Sequence, residues 1–200
     1  MKLYHTPGAC SLAPHILLEE TGLDYEPVRV DLMAKRLEGG GDYLAINPKG
    51  AVPALDVGDG EVLTENAVIL QYIADRAGNE ALLPPSGLAR YRVLEWLGYI
   101  ATELHKGFGP LWLPQTPNAF KDVTRGMIGK KLDFVQGRLG GGYLNGSAFT
   151  AADPYLFTIL RWTDIHGIDL ARWPQLVEYR KRVAVRPGVA RALTDEGITG

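Results

Sequence analysis

The sequence predicts an α/β unit followed by an all-helical one. Three observations carry that expectation. Short apolar segments of strand character alternate with helical patterns as far as Gly78. A turn-rich stretch from Gly78 to Gly87, with Pro84-Pro85 inside it, then interrupts all periodicity. Beyond it apolar residues recur at steps of three and four, and no alternating strand pattern follows. The expected organisation is a first domain at 1–78, a linker at 79–87 and a helical second domain at 88–200.

Lys2 to Tyr4 reads as a short strand. Leu12 to Thr21 reads as a helix with Leu12, Ile16 and Leu17 on one side, Pro14 tolerated in its first turn and Gly22 ending it. Tyr25 to Val30 alternates as a half-buried strand does. Leu32 to Ile46 is looser, and Gly39-Gly40-Gly41 argues against a long helix there. Ala54 to Val57 and Glu61 to Leu63 form a hairpin across Gly58-Asp59-Gly60, and Thr64 is the expected N-cap of a helix through Arg76. In the second half, Leu94, Leu97, Ala101, Leu104 and Phe108 mark a buried helix face. A long helix is expected from Phe120 to Leu139, stopped by Gly140-Gly141-Gly142. Thr150 followed by Asp153 signals the next helix start, and two shorter helices follow near Trp173 to Val183 and Pro187 to Thr194.

A net charge of -2 and a pI near 6.1 leave no electrostatic footprint for nucleic acid and no polybasic membrane patch. No apolar run is long enough to span a bilayer, and MKLYHTPG lacks the apolar stretch of a signal peptide. The expected compartment is the cytoplasm, consistent with a single cysteine and hence no intramolecular disulfide.

That cysteine, Cys10, sits in TPGACSLAPHI at what reads as the first turn of a helix. Unpaired N–H groups at a helix start favour a thiolate and depress its pKa; the competing reading is a small buried hydrophobe. Val52-Pro53, in NPKGAVPAL, precedes an expected edge strand. A cis peptide there exposes the Val52 backbone to an extended ligand, whereas an ordinary trans proline entering a strand explains the same residues. Thr64-Glu65-Asn66 opens a helix whose N–H groups and Asn66 amide suit a carboxylate, with Glu65 suited to an ammonium; together they fit a zwitterionic amino-acid end, although plain capping also accounts for them. His105 and Lys106 share a helix side with Tyr99 and Thr102, either as a cation pair for a thiolate or carboxylate, or as a solvated face. No metal is expected, because His5, His15, His105 and His166 are scattered without zinc spacing. Phosphate loops and a GxSxG elbow are absent.

Taken together, LYHTPGACSLAPHI, NPKGAVPAL, LTENAVILQYIAD, ELHKGFGPLW, FTAADPYLF and RWTDIHGIDL, in that order and spacing, resemble the glutathione transferases, and among them the bacterial beta class. The resemblance implies a thioredoxin-like N-terminal domain with a cis proline, an all-helical C-terminal domain, and a homodimer whose clefts bind glutathione and direct its thiolate at a small hydrophobic electrophile. Carried over, Cys10 faces the glutathione sulfur and can form a mixed disulfide with it. Val52, before Pro53, pairs with the cysteinyl part, and Glu65 with Asn66 holds the γ-glutamyl end. His105 and Lys106 line the sulfur side, Ser11 is a secondary hydroxyl donor, Leu32 and Lys35 border the glycine end, and Tyr4 packs beneath the site. Asn66 is a departure, since the family pattern more often has serine. Phe108, Trp112 and Trp162 are candidates for the second-substrate wall as well as for core packing. Two rivals share the fold: a glutathione-dependent thiol-disulfide oxidoreductase acting through Cys10, and a non-catalytic ligand-binding protein.

Overall fold

The computed structural model describes residues 1–140 and 142–198. Gly141, within the glycine run expected to stop the long helix, lies outside the described residues, as do Thr199 and Gly200 at the end of the expected second domain. Among the described residues all strands precede Gly78: β1 (Lys2–His5), β2 (Glu26–Asp31), β3 (Arg36–Leu37), β4 (Ala54–Gly58) and β5 (Glu61–Thr64) form one sheet in the order β3-β2-β1-β4-β5. Strands β1 and β2 are parallel, linked by α1 (Leu12–Thr21), and the other pairings are antiparallel. The hairpin forms where the Asp-Gly rule put it, with Gly58, Asp59 and Gly60 all at positive φ. Strand β4 corrects the expectation of an edge: it pairs with β1 on one side and β5 on the other. Its ladder starts at Ala54, so Val52 still lies beyond the paired residues.

Helix α2 (Asn66–Ala77) starts later than expected. Thr64 remains in β5, and Glu65, at φ 72°, makes the break between strand and helix without a side-chain cap. The second half is helical: α3 (Gly87–Tyr99), α4 (Gly109–Trp112), α5 (Asn118–Gln136), α6 (Asp153–Ile165), α7 (Pro174–Ala184) and α8 (Pro187–Asp195). The single stripe expected from Leu94 to Phe108 is not one regular helix. After α3 the chain takes a π turn over Ile100–His105 and a 3-10 turn over Lys106–Phe108. Leu97, Leu104 and Phe108 are nonetheless buried.

Helix α6 is the central strut, buried along most of its length. Its start is held by Asp153, whose carboxylate accepts from the Thr150 N–H at 2.7 Å, the Thr150 hydroxyl at 2.9 Å, the Leu144 N–H at 3.1 Å and the Tyr179 hydroxyl at 3.0 Å. Helix α1 packs on α2, α6 and α8, so the strand-bearing half and the helical half share one apolar core. Helix α8 approaches α1 closely enough that a Cβ at Gly188 would meet the Glu20 backbone nitrogen at 2.7 Å. Arg186 to Glu20 at 2.6 Å and Arg191 to Glu19 at 2.7 Å flank that contact.

Candidate functional site

The turn from Thr6 to Ser11 joins β1 to α1. Ser11 Oγ accepts from the Thr6 N–H at 3.1 Å and donates to the Thr6 carbonyl at 3.3 Å, while Thr6 Oγ1 donates to the Val30 carbonyl at 2.7 Å. Ser11 is fully buried, so its hydroxyl closes the turn and is not presented as the secondary donor expected from sequence. Cys10 lies two residues ahead of α1, half-buried, with Sγ donating to the Val52 carbonyl at 3.1 Å. Burial pushes this thiol up to about 12, against the lowering effect of its N–H neighbours. The expected depressed pKa is therefore corrected: burial, with the Glu65 charge adding to it, outweighs the Cys10 and Ser11 N–H groups and the Asn66 amide that favour the thiolate. Tyr4 is buried and packs against Tyr43 at 5.9 Å, beneath the turn.

The Val52-Pro53 peptide is cis. The loop leading to it is held by Ala51, whose carbonyl accepts from Asn47 Nδ2 at 2.7 Å and the Tyr43 hydroxyl at 2.8 Å. Lys35, at φ 55°, donates Nζ to the Gly50 carbonyl at 2.7 Å, and Leu32 turns toward the apolar cluster of Tyr4, Val30, Tyr43 and Val52. Both border the Val52 loop. Glu65 is exposed and paired with Lys49 Nζ at 2.6 Å. Asn66 instead reaches inward: Nδ2 donates to the Cys10 carbonyl at 3.0 Å, and its buried Oδ1 has no partner among the described residues. The departure at Asn66 thus ties α2 to the cysteine turn.

From the helical half, His105 Nδ1 lies 2.7 Å from the Tyr155 hydroxyl, and its ring meets Trp162 edge-on at 5.0 Å. Burial, assisted by the adjacent Lys106, pushes the imidazole down to about 4. It is neutral near pH 7, which corrects the expected cation pair: only the exposed Lys106 carries charge there. Tyr99 does not share its side either. Its hydroxyl donates to the Lys131 carbonyl of α5 at 3.2 Å, whereas His105 reaches Tyr155 of α6; six residues at about 100° each already put the two on different sides of a helix. Trp162 also contacts Phe108 at 5.7 Å and Trp112 at 5.3 Å, and Trp112 meets His166 at 4.3 Å. Phe108 and Trp162 are core residues; Trp112 is exposed.

Two groups escaped the sequence reading. Tyr155 lies in the quoted FTAADPYLF segment, where only its role as a helix start was legible; it touches His105 and its phenol is raised by burial and then by Cys10. The histidines are not all scattered: His5, His15 and Glu196 bring three buried ligand atoms within 4.8 Å of one another, and His15, Glu19 and Asp195 form a second, outward group. The inner group has the donor set for a metal, but His15 Nδ1 is engaged by Glu196 at 2.9 Å.

Residues 1–75 match the family described as glutathione S-transferase, N-terminal domain, and residues 99–187 match glutathione S-transferase, C-terminal domain. The glutathione S-transferase GstA of Escherichia coli O157:H7 is 50% identical over 200 residues, covering 99% of this chain and 100% of that one. A sphingomonad glutathione S-transferase solved in complex with glutathione superposes with a TM-score of 0.95 at 45% identity, over the full length of both chains. A bacterial beta-class glutathione S-transferase from Sphingomonas chungbukensis does so with a TM-score of 0.95 at 43% identity, again over both whole chains. With two family domains in order and full-length similarity to such enzymes, the chain belongs to the glutathione S-transferase family.

Proposed function

We propose that this glutathione transferase joins the glutathione sulfur to small apolar electrophiles in a cleft floored by the Cys10 turn and roofed by His105 and Trp162. The observation that carries the reading is convergence: the Val52 carbonyl, Cys10, Asn66 and the His105–Tyr155 pair come together from five separate stretches of chain. In this reading the Val52 backbone pairs with the cysteinyl part of glutathione, Glu65 with the first-turn N–H groups of α2 holds the γ-glutamyl end, and Lys35 with Leu32 borders the glycine end. His105 acts as a neutral hydrogen-bonding group and Lys106 as the cation favouring the glutathione thiolate. The exposed face of Trp112 supports an apolar second pocket. We assign residues 1–78 to the glutathione-binding domain and 88–200 to the helical domain, and expect a cytoplasmic homodimer.

The test compares turnover of a nitro-aryl halide with turnover of a glutathione mixed disulfide. Faster conjugation is expected. Predominant mixed-disulfide reduction, abolished in Cys10→Ala, would make the chain a thiol-disulfide oxidoreductase instead; binding of glutathione with neither activity would make it a ligand-binding protein.

A further inference from the structure

Gly8 stands two residues before Cys10, and both polar groups of its backbone are taken by side chains from the helical half. Its N–H donates to Glu196 Oε2 at 2.8 Å, and its carbonyl accepts from Trp162 Nε1 at 3.0 Å. Glu196, just past α8, is 188 residues away in sequence and buried. Its second oxygen accepts from His15 Nδ1 at 2.9 Å and lies 3.3 Å from His5 Nδ1. His5 ends β1 and His15 lies on α1, the two elements between which the Cys10 turn is strung. One carboxylate therefore engages the middle of the turn and both of its supports. Burial alone raises a carboxyl pKa; here the bonds from His15 and Gly8, with the His5 ring close by, prevail and hold it below the ordinary range, so Glu196 is ionised in place.

We infer that Glu196 is a positioning residue for the sulfur chemistry: by holding the Gly8 N–H it sets where the turn presents Cys10. The inference rests on the reading that Cys10 faces the glutathione sulfur. The expected glutathione anchors at Val52 and Glu65 lie on other elements, joined to the turn through the Cys10–Val52 and Asn66–Cys10 bonds, so loosening the turn at Gly8 shifts Cys10 against the glutathione sulfur more than it disturbs the anchors. That separation distinguishes positioning from binding and from bulk stability.

The experiment is steady-state conjugation by Glu196→Ala, Glu196→Gln and Trp162→Phe in the full chain, with the Cys10 alkylation rate measured beside it. Glu196→Ala is expected to lower kcat about tenfold and change the Cys10 alkylation rate, with the glutathione KM within about twofold. Glu196→Gln is expected to recover most of kcat, because the amide oxygen still accepts from Gly8 while His15, whose Nε2 is unpartnered, can change tautomer and accept from the new amide. Trp162→Phe, which keeps an aromatic ring but removes the donor to Gly8 together with part of the indole's bulk, serves if Glu196→Ala does not fold, and is expected to lower kcat in the same sense. A folded Glu196→Ala with unchanged kcat, a loss confined to KM, or a Gln variant as poor as Ala overturns the inference; if Ala does not fold, unchanged kcat in Trp162→Phe does so. Protection of Cys10 from alkylation by bound reduced glutathione tests the underlying reading separately: no protection sinks that reading, whereas protection with unchanged kcat in the variants sinks this inference alone.

Discussion

His105 and Tyr155 meet side chain to side chain at 2.7 Å, and the phenol is the member of the pair that keeps its proton. A protonated phenol donating to Nδ1 leaves the other ring nitrogen of a neutral imidazole as an N–H. Tyr155→Phe removes that orientation while keeping the packing. Its kcat for conjugation is expected to fall several-fold with the glutathione KM nearly unchanged. An equal rise in KM would show that the hydroxyl serves binding rather than the reacting sulfur.

The same burial has a consequence for pH. His105 is lowered from an ordinary 6.5 to about 4, so below 6.5 the unfolded chain binds a proton that the folded chain refuses. Stability attributable to this group is complete above pH 6.5 and is lost as pH falls from there towards 4. The full loss is about 3 kcal/mol, one pKa unit being about 1.4 kcal/mol. Urea melts at pH 7 and pH 4.5 on the wild type and on His105→Asn check this: the pH dependence should shrink in the variant. Equal dependence in both would mean that His105 titrates normally.

Cys10 is expected to be a slow nucleophile in the free enzyme. With its thiol pushed up to about 12, alkylation by iodoacetamide should climb steadily through pH 9 without levelling. A plateau near pH 7 would show that the helix-start field prevails over burial after all.

Glu65 is exposed and its pair with Lys49 is open to solvent, a kind of contact worth under about 1 kcal/mol. Glu65→Gln should therefore leave the melting temperature within about 2 °C while raising the glutathione KM about tenfold, through loss of the partner for the γ-glutamyl ammonium. A variant with unchanged KM would remove Glu65 from the site.

Local chemistry was legible wherever a feature closes within a few residues. The hairpin across Gly58-Asp59-Gly60, the Thr150–Asp153 helix start and the order of strands and helices are of this kind. What could not be read depends on partners far along the chain. The Cys10 thiol donates to the Val52 carbonyl, 42 residues on, and Gly8 is held by Glu196 from the other end of the sequence. No local pattern encodes such pairings, and strand patterning does not say that β4 lies between β1 and β5. The π turn at Ile100–His105 is a slip in hydrogen bonding to which apolar spacing is blind.

Asp153 joins a legible signal to an unread partner. Thr150 was foreseen; the Leu144 N–H and the Tyr179 hydroxyl, which bind the same carboxylate, come from a preceding loop and from α7. Asp153→Ala strands the Leu144 N–H and both Thr150 donors at once, while the Tyr179 hydroxyl keeps the main-chain carbonyl of residue 153 at 3.1 Å. With a cost of roughly 1 to 3 kcal/mol for a single unsatisfied group, the loss should reach at least about 3 kcal/mol, read as a lower urea midpoint with an unchanged slope. The carboxylate lies at the start of α6, remote in function from Cys10, so the fraction still folded should retain its glutathione KM. Asp153→Asn keeps acceptor capacity for the Thr150 or Leu144 N–H but places an amide donor against the others, and should fall between wild type and Ala. If Ala and Asn are equally destabilised, the charge on the carboxylate, and not the number of its hydrogen bonds, is what holds the start of α6.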